Sequence, residues 1–125
     1  MLKDKKSVFI DKRVRIGKNV IIYENNRIEG ISVIEDNVNI FPNCYISNSI
    51  IGKGSKIYTS VIENSKLGKC SAVGPFSHIK KSALGEHSRV GAFSELKNSE
   101  MEPSSVIVSG SIVFENKFLC NKIDK

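Results

Sequence analysis

The chain has 125 residues, of which 40% are hydrophobic and 26% charged, the balance of one globular domain rather than of a disordered or fibrous chain. Its 19 Lys and Arg against 13 Asp and Glu give a net charge of +6, which suits an anionic ligand and equally suits a soluble, self-repelling surface. No apolar run reaches the roughly 18 residues of a membrane helix, and the polar N-terminus lacks a signal-peptide pattern. Because three cysteines cannot all pair within one chain, we expect a reducing, cytoplasmic location and no membrane partner.

A charged lead-in, residues 1–8, precedes a ladder of aliphatic residues. The step is six residues up to Ile46, and five or six residues from there to the end of the ladder. A period of six is neither the 3.6 of a helix nor the alternation of a single amphipathic strand, but it is typical of hexapeptide solenoids with one short strand and one turn per rung. The predicted ladder is Ile10, Ile16, Ile22, Ile28, Ile34, Ile40, Ile46, Ile51, Ile57, Ile62, Leu67, Val73, Ile79, Leu84, Val90, Leu96, Met101, Ile107 and Ile112.

Other residue types keep the same register, with glycine often following the aliphatic residue and serine recurring before the next one. From Ile62 onward the coil settles at 17 residues, which predicts that Ile62, Ile79 and Leu96 stack on one another. The expected fold is all-β, a single-stranded parallel β-helix of about six coils that forms one domain over residues 1–125. Towards the end the register decays, and residues 113–125 are expected to form a partial coil or a capping extension.

The stretch from about Phe9 to Ser99 resembles the start of the left-handed β-helix domain of the bifunctional N-acetylglucosamine-1-phosphate uridyltransferase/glucosamine-1-phosphate acetyltransferase family, related to UDP-N-acetylglucosamine pyrophosphorylase. The segments that carry the resemblance are 33–38, 62–68, 73–79 and 91–99. The resemblance implies a left-handed coil, amino-sugar nucleotide chemistry and a trimer with sites between chains.

The sequence also departs from that family. The uridyltransferase half, with its glycine-rich nucleotide loop, has no counterpart here, and neither do the later coils that hold acetyl-CoA. In an alignment without gaps the family's general-base histidine falls on Ser109, and a serine has no proton affinity near neutral pH. We therefore expect no catalytic residue and no bound cofactor, and the sequence leaves open whether the chain is an enzyme.

Lys80 and Lys97 are 17 residues apart and are predicted to project side by side, with Lys81 adjacent to Lys80. Two ammonium groups about 5 Å apart repel unless an anion lies between them, which makes the pair a candidate phosphate clamp. Lys80 and Lys97 match basic ligand contacts of the similar family, Lys80 as a change from arginine. The alternative is a solvated basic column with Glu63 one coil below.

Further candidates carry less chemistry. His78 is expected to pair with Glu95, and a His87–Cys70 thiol–imidazole pair lacks an orienting third group. Two histidines and three cysteines fit no metal-site spacing. Aromatic residues are 7% of the chain, and Phe76 and Phe93 are assigned to turn packing, so nucleic acid is not an expected partner.

Two hypotheses remain from different classes. The first is a module that binds a sugar nucleotide or hexosamine phosphate through Lys80, Lys81 and Lys97, with little or no acetyltransferase activity alone. The second is a non-catalytic structural or assembly protein, either a homotrimer or the partner of a separate nucleotidyltransferase chain. A third, weaker hypothesis is an acetyltransferase whose missing base and CoA-binding wall come from a partner.

Overall fold

The structure, a computed structural model, describes residues 7–115 and the strand Lys122–Ile123. The chain winds as a left-handed parallel β-helix of about six coils, which confirms the predicted all-β solenoid. Most of the predicted lead-in (residues 1–6) and most of the predicted capping extension (116–121 and 124–125) lie outside the described residues. The predicted bounds of these two segments therefore stay predictions.

Three parallel sheets form the sides of a triangular prism, and their strands are two or three residues long. The first sheet contains β1 (Phe9–Ile10), β4 (Arg27–Glu29), β7 (Tyr45–Ser47), β10 (Val61–Glu63), β13 (His78–Lys80), β16 (Glu95–Lys97) and β19 (Ile112–Phe114). The second contains β2 (Arg15–Ile16), β5 (Val33–Ile34), β8 (Ile50–Ile51), β11 (Lys66–Leu67), β14 (Ala83–Leu84) and β17 (Glu100–Met101). The third contains β3 (Ile21–Ile22), β6 (Asn39–Ile40), β9 (Lys56–Ile57), β12 (Ala72–Val73), β15 (Arg89–Val90), β18 (Val106–Ile107) and β20 (Lys122–Ile123).

Aliphatic columns fill the interior of the prism, because successive strand residues point to opposite faces and only one per rung points inward. In the first sheet Ile62 pairs with Ile79, and Ile79 with Leu96, as the 17-residue coil predicts. These three side chains are almost fully buried. Each coil covers the apolar face of the next, so the columns hold the coils together.

The predicted ladder of buried aliphatic residues is wrong at its C-terminal end, and one of its residues near the N-terminal end is exposed. Val113, not Ile112, pairs with Leu96; Val113 is 6% exposed and Ile112 is 74% exposed. The last step is six residues, from Ile107 to Val113, and two neighbouring apolar residues left the sequence pattern ambiguous there. Ile16 is 39% exposed because β2 is an edge strand of the second sheet, with a neighbour on one side only.

Serines form a second set of interior columns beside the aliphatic residues. The backbone N–H of Ser82 donates to Ser65 Oγ at 3.1 Å, and Ser65 Oγ donates to the carbonyl oxygen of Glu63 at 2.8 Å. Among the described residues, no buried side-chain nitrogen or oxygen atom lacks a hydrogen-bond partner. The small hydroxyl side chain therefore fits the narrow interior and also binds the backbone between coils.

Residues with positive φ stand in columns at the three corners of the prism. The first corner, between the second and third sheets, holds Asn19, Asn37, Gly54, Cys70, His87 and Ser104. The second, between the third and first sheets, holds Asn25, Asn43, Thr59, Phe76, Phe93 and Gly110. The third, between the first and second sheets, holds Gly30, Asn48, Asn64, Lys81, Asn98 and Glu115. Glycine and asparagine adopt this conformation readily, whereas phenylalanine rarely does.

Candidate functional site

The outward face of the first sheet carries the predicted lysine pair. Lys80 on β13 and Lys97 on β16 are in direct register, and each follows a buried aliphatic residue of its strand. The alternation of a strand therefore turns both lysines outward, one coil apart. Lys81 lies next to them at the third corner, exposed and with φ of 50°.

Neither lysine of this pair has an acidic partner within residues 7–115. Glu63 precedes Lys80 in the same column, but its Oε1 lies 3.1 Å from Nε2 of His78. The Lys97 ammonium lies 5.4 Å from the centroid of the Phe114 ring, a cation–π contact. Glu63 is thus engaged by His78, and both a phosphate clamp and a solvated basic column stay compatible with these side-chain contacts.

The partner of His78 differs from the one expected. His78 and Glu95 are in backbone register, as their spacing predicts, but the imidazole hydrogen-bonds Glu63 in the preceding coil. The spacing predicts which residues lie next to His78 in the adjacent coils, but it does not predict towards which of them the imidazole ring points. His78 is thus hydrogen-bonded to Glu63, and Glu95 in the next coil is exposed.

Charged side chains in the N-terminal coils of the same face are hydrogen-bonded to one another. Arg27 hydrogen-bonds Glu29, and the Tyr45 hydroxyl donates to Glu29 Oε1 at 2.9 Å. The Arg27 hydrogen bond and then the Tyr45 hydrogen bond lower the pKa of Glu29, and the same contact with Glu29 raises the pKa of Tyr45. The N-terminal part of the face is thus electrostatically satisfied, in contrast to Lys80 and Lys97.

An aromatic pair borders the face at the second corner. Phe76 and Phe93 stack with ring centroids 5.3 Å apart and an interplanar angle of 18°, yet they are 63% and 67% exposed. The turn-packing interpretation explains the stacking but not this exposure. Beside the rings lies an open cavity of about 580 Å³, also lined by His78, Glu95 and Ile112.

A repeated sequence pattern accompanies the aromatic edge. The pattern Gly-x-Phe-Ser-x-x-Lys occurs at residues 74–80 and again at 91–97, one coil apart. The spacing led to a ligand-binding hypothesis for the two lysines, whereas the two phenylalanines were assigned to turn packing alone.

The cysteines and the remaining histidine form no further site among the described residues. Cys70 and His87 are successive residues of the first corner, and both are exposed. Cys44 is buried, which raises the pKa of its thiol to about 11. Within the described ranges, no group of three His, Cys, Asp or Glu side chains could hold a metal ion, and no helix has the length and hydropathy of a membrane span.

The fold is that of hexapeptide-repeat solenoids, and solved structures share it. A mutant of perosamine N-acetyltransferase from Caulobacter crescentus, solved with CoA and GDP-perosamine, matches 94% of this chain and 50% of its own with a TM-score of 0.62 at 15% identity. A hexapeptide transferase family protein from Anaplasma phagocytophilum matches 91% of this chain and 70% of its own with a TM-score of 0.61 at 19% identity. At such identities the likeness shows the fold alone.

A sequence comparison finds a relative that is similar over part of this chain. The bifunctional protein GlmU of Synechococcus elongatus is 40% identical over 79 residues, which are 63% of this chain and 18% of that protein. This finding confirms the resemblance predicted from the hexapeptide segments. The matched region is thus less than a fifth of the relative's length, and no family model matches the chain.

Proposed function

We propose that the chain binds a phosphorylated amino sugar, a sugar nucleotide or a hexosamine phosphate, on the outward face of the first sheet. The observation that carries the proposal is the adjacent Lys80 and Lys97 pair without a carboxylate partner within residues 7–115. The similarity to GlmU and the presence of GDP-perosamine in the Caulobacter structure support this ligand class.

The lysine pair fits a phosphate group for simple electrostatic reasons. Adjacent parallel strands are about 4.8 Å apart, so the two ammonium groups repel each other unless an anion lies between them. Each ammonium has three donors on a flexible stem, and both can converge on the oxygens of one phosphate group. Lys81 at the neighbouring corner adds positive charge to the same end of the face.

Acetyl transfer is not part of the proposed activity of this chain alone. Ser109, the residue aligned with the family's general base, accepts a hydrogen bond from the backbone N–H of Ala92 at 3.1 Å. Its hydroxyl oxygen therefore has a structural partner. A serine hydroxyl is also too weak a base to take up a proton near neutral pH.

Calorimetric titration with UDP-N-acetylglucosamine and with N-acetylglucosamine 1-phosphate at about 0.1 M salt tests the proposal, because this salt screens loose surface attraction. We expect saturable binding of at least one of them, weakened about tenfold or more in the Lys80→Ala/Lys97→Ala variant through the loss of two charge-assisted hydrogen bonds. The Lys53→Ala/Lys69→Ala variant is the control, since it removes two exposed lysines of successive coils beside the first corner.

Unchanged affinity in the Lys80→Ala/Lys97→Ala variant, or equal weakening in both variants, would contradict a specific phosphate site.

The second candidate is an assembly protein, a homotrimer or the partner of a separate nucleotidyltransferase chain. Exposed apolar side chains at one end of the first sheet, Ile112 and Phe114, favour it because such groups are commonly covered by another chain. Absence of heat with either phosphate ligand, together with a sedimentation mass of three chains, would favour this candidate over the first.

A further inference from the structure

Two successive coils of the first sheet present side chains of similar kinds in the same order. One row is Phe76, His78 and Lys80, and the next is Phe93, Glu95 and Lys97. Ile79 lies between His78 and Lys80, Leu96 lies between Glu95 and Lys97, and both are buried. Because side chains alternate along a strand, the named side chains lie on the outer side of the prism. Each row therefore runs from an aromatic ring through a hydrogen-bonding group to a cation.

The length of a row is that of a small extended ligand. Lys97 is four positions after Phe93, a distance of at most about 13 Å along an extended chain. The cavity of about 580 Å³ covers the aromatic and central parts of the rows, and the lysines lie beyond it. Cavities of this volume accommodate ligands of nucleotide size.

Within residues 7–115, the second-corner column has no side chain above Phe93. The second corner continues from Phe93 to Gly110, where a Cβ atom would have nothing within 4 Å. The other side of Phe93 is covered by Phe76. A flat ring placed over Phe93 would extend the stack by one step without displacing any described atom at Gly110.

We propose that the ligand of the lysine pair is a nucleoside diphosphate sugar, whose base stacks at the Phe76–Phe93 edge while its diphosphate contacts Lys80 and Lys97. The proposal rests on the function proposed above and chooses between its two ligand classes. The order of groups on the protein, aromatic then hydrogen-bonding then cationic, is the order base, ribose, diphosphate in the ligand.

The central group also suits this ligand. Glu95 is exposed, and its carboxylate can accept hydrogen bonds from the two ribose hydroxyl groups. A hexosamine phosphate has no flat ring for Phe76 and Phe93 and leaves that edge unused. Base stacking on aromatic side chains tolerates different bases, so the edge selects a nucleotide over a simple phosphate more than it selects one base.

The test compares UDP-N-acetylglucosamine with N-acetylglucosamine 1-phosphate in calorimetric titrations of the wild type and a Phe76→Asn/Phe93→Asn variant. Asparagine keeps the backbone of the corner, since Asn25 and Asn43 have positive φ in the same column. The control variant Cys70→Asn/His87→Asn makes the same kind of change at the first corner, away from this face.

We expect the wild type to bind UDP-N-acetylglucosamine about tenfold or more tightly than N-acetylglucosamine 1-phosphate. The Phe76→Asn/Phe93→Asn variant should lose this advantage and keep its affinity for N-acetylglucosamine 1-phosphate, and the control should match the wild type. Circular dichroism and sedimentation of each variant show whether fold and mass are retained.

Equal wild-type affinities for the two probes, unchanged in the Phe76→Asn/Phe93→Asn variant, would overturn the nucleotide proposal and leave the phosphate site standing. A variant with altered sedimentation mass but unaltered nucleotide affinity would overturn it too, because a second copy would then cover the rings. Failure of both probes to bind would overturn the proposed function as well.

Discussion

Cys44 stands in an interior column that is otherwise built largely from serine, and its thiol behaves like the hydroxyl groups around it. Its Sγ donates to the carbonyl oxygens of Phe41 at 3.2 Å and Ile57 at 3.6 Å. One coil later, Ser60 Oγ likewise donates to two backbone carbonyl oxygens, those of Tyr58 and Gly74. Burial raises the pKa of Cys44 from 9.0 to about 11, because a thiolate would have to form away from water. The thiol is therefore a structural group.

This raised pKa predicts a loss of stability in alkali. Below pH 9 the thiol is protonated in the folded and unfolded chains alike, and the folded chain keeps its proton until about pH 11. The contribution of Cys44 to the free energy of unfolding is thus full below pH 9 and falls by about 2–3 kcal/mol as the pH rises through 11. Urea unfolding of the wild type and the Cys44→Ser variant at pH 8 and pH 11 measures the difference, and equal pH dependence in both would contradict the assignment.

Within a rung, the serine before each strand joins two coils through its hydroxyl group. Ser65 Oγ donates to the Glu63 carbonyl and accepts from the Ser82 N–H. The Ser65→Ala variant removes both bonds in a buried position, so we expect the free energy of unfolding to fall by about 1–3 kcal/mol. Chemical denaturation of the wild type and the variant at neutral pH tests this. A variant as stable as the wild type would show that Ser65 is needed for its small side chain and not for its hydrogen bonds.

The elements were predictable as far as the spacing of residue types decides them. A period of six with one buried aliphatic residue per rung determines which residues stack, and it placed Lys80 beside Lys97. It did not decide between Ile112 and Val113, because both are apolar and differ by one residue in the length of the last step. Side-chain rotation is not encoded in spacing either, which is why the hydrogen bond of His78 to Glu63 needed the structure.

At the scale of the whole molecule, each coil contacts only the coils next to it. The free energy of local unfolding therefore varies along the solenoid axis, because an end coil has one neighbouring coil and an inner coil has two. We expect amide protons of β10 and β13 to exchange at least about tenfold more slowly than those of β2, where Ile16 is exposed. Hydrogen–deuterium exchange read by mass spectrometry gives this profile, and uniform protection along the chain would show that the solenoid opens only as one unit.

The stacked rings near the beginning of the solenoid give the protein an uneven optical signal. Tyr23, Phe41 and Tyr58 form a continuous stack with centroid distances of 5.0 and 4.4 Å. The chain has three tyrosines, the third being Tyr45, and no tryptophan, so the absorbance near 280 nm and the fluorescence that it excites come from residues 23–58 alone. Far-ultraviolet dichroism, in contrast, samples the backbone of every coil. Melting curves recorded by the two methods would thus follow the unfolding of different parts of the chain. The order of their midpoints would show whether the N-terminal coils unfold before the rest.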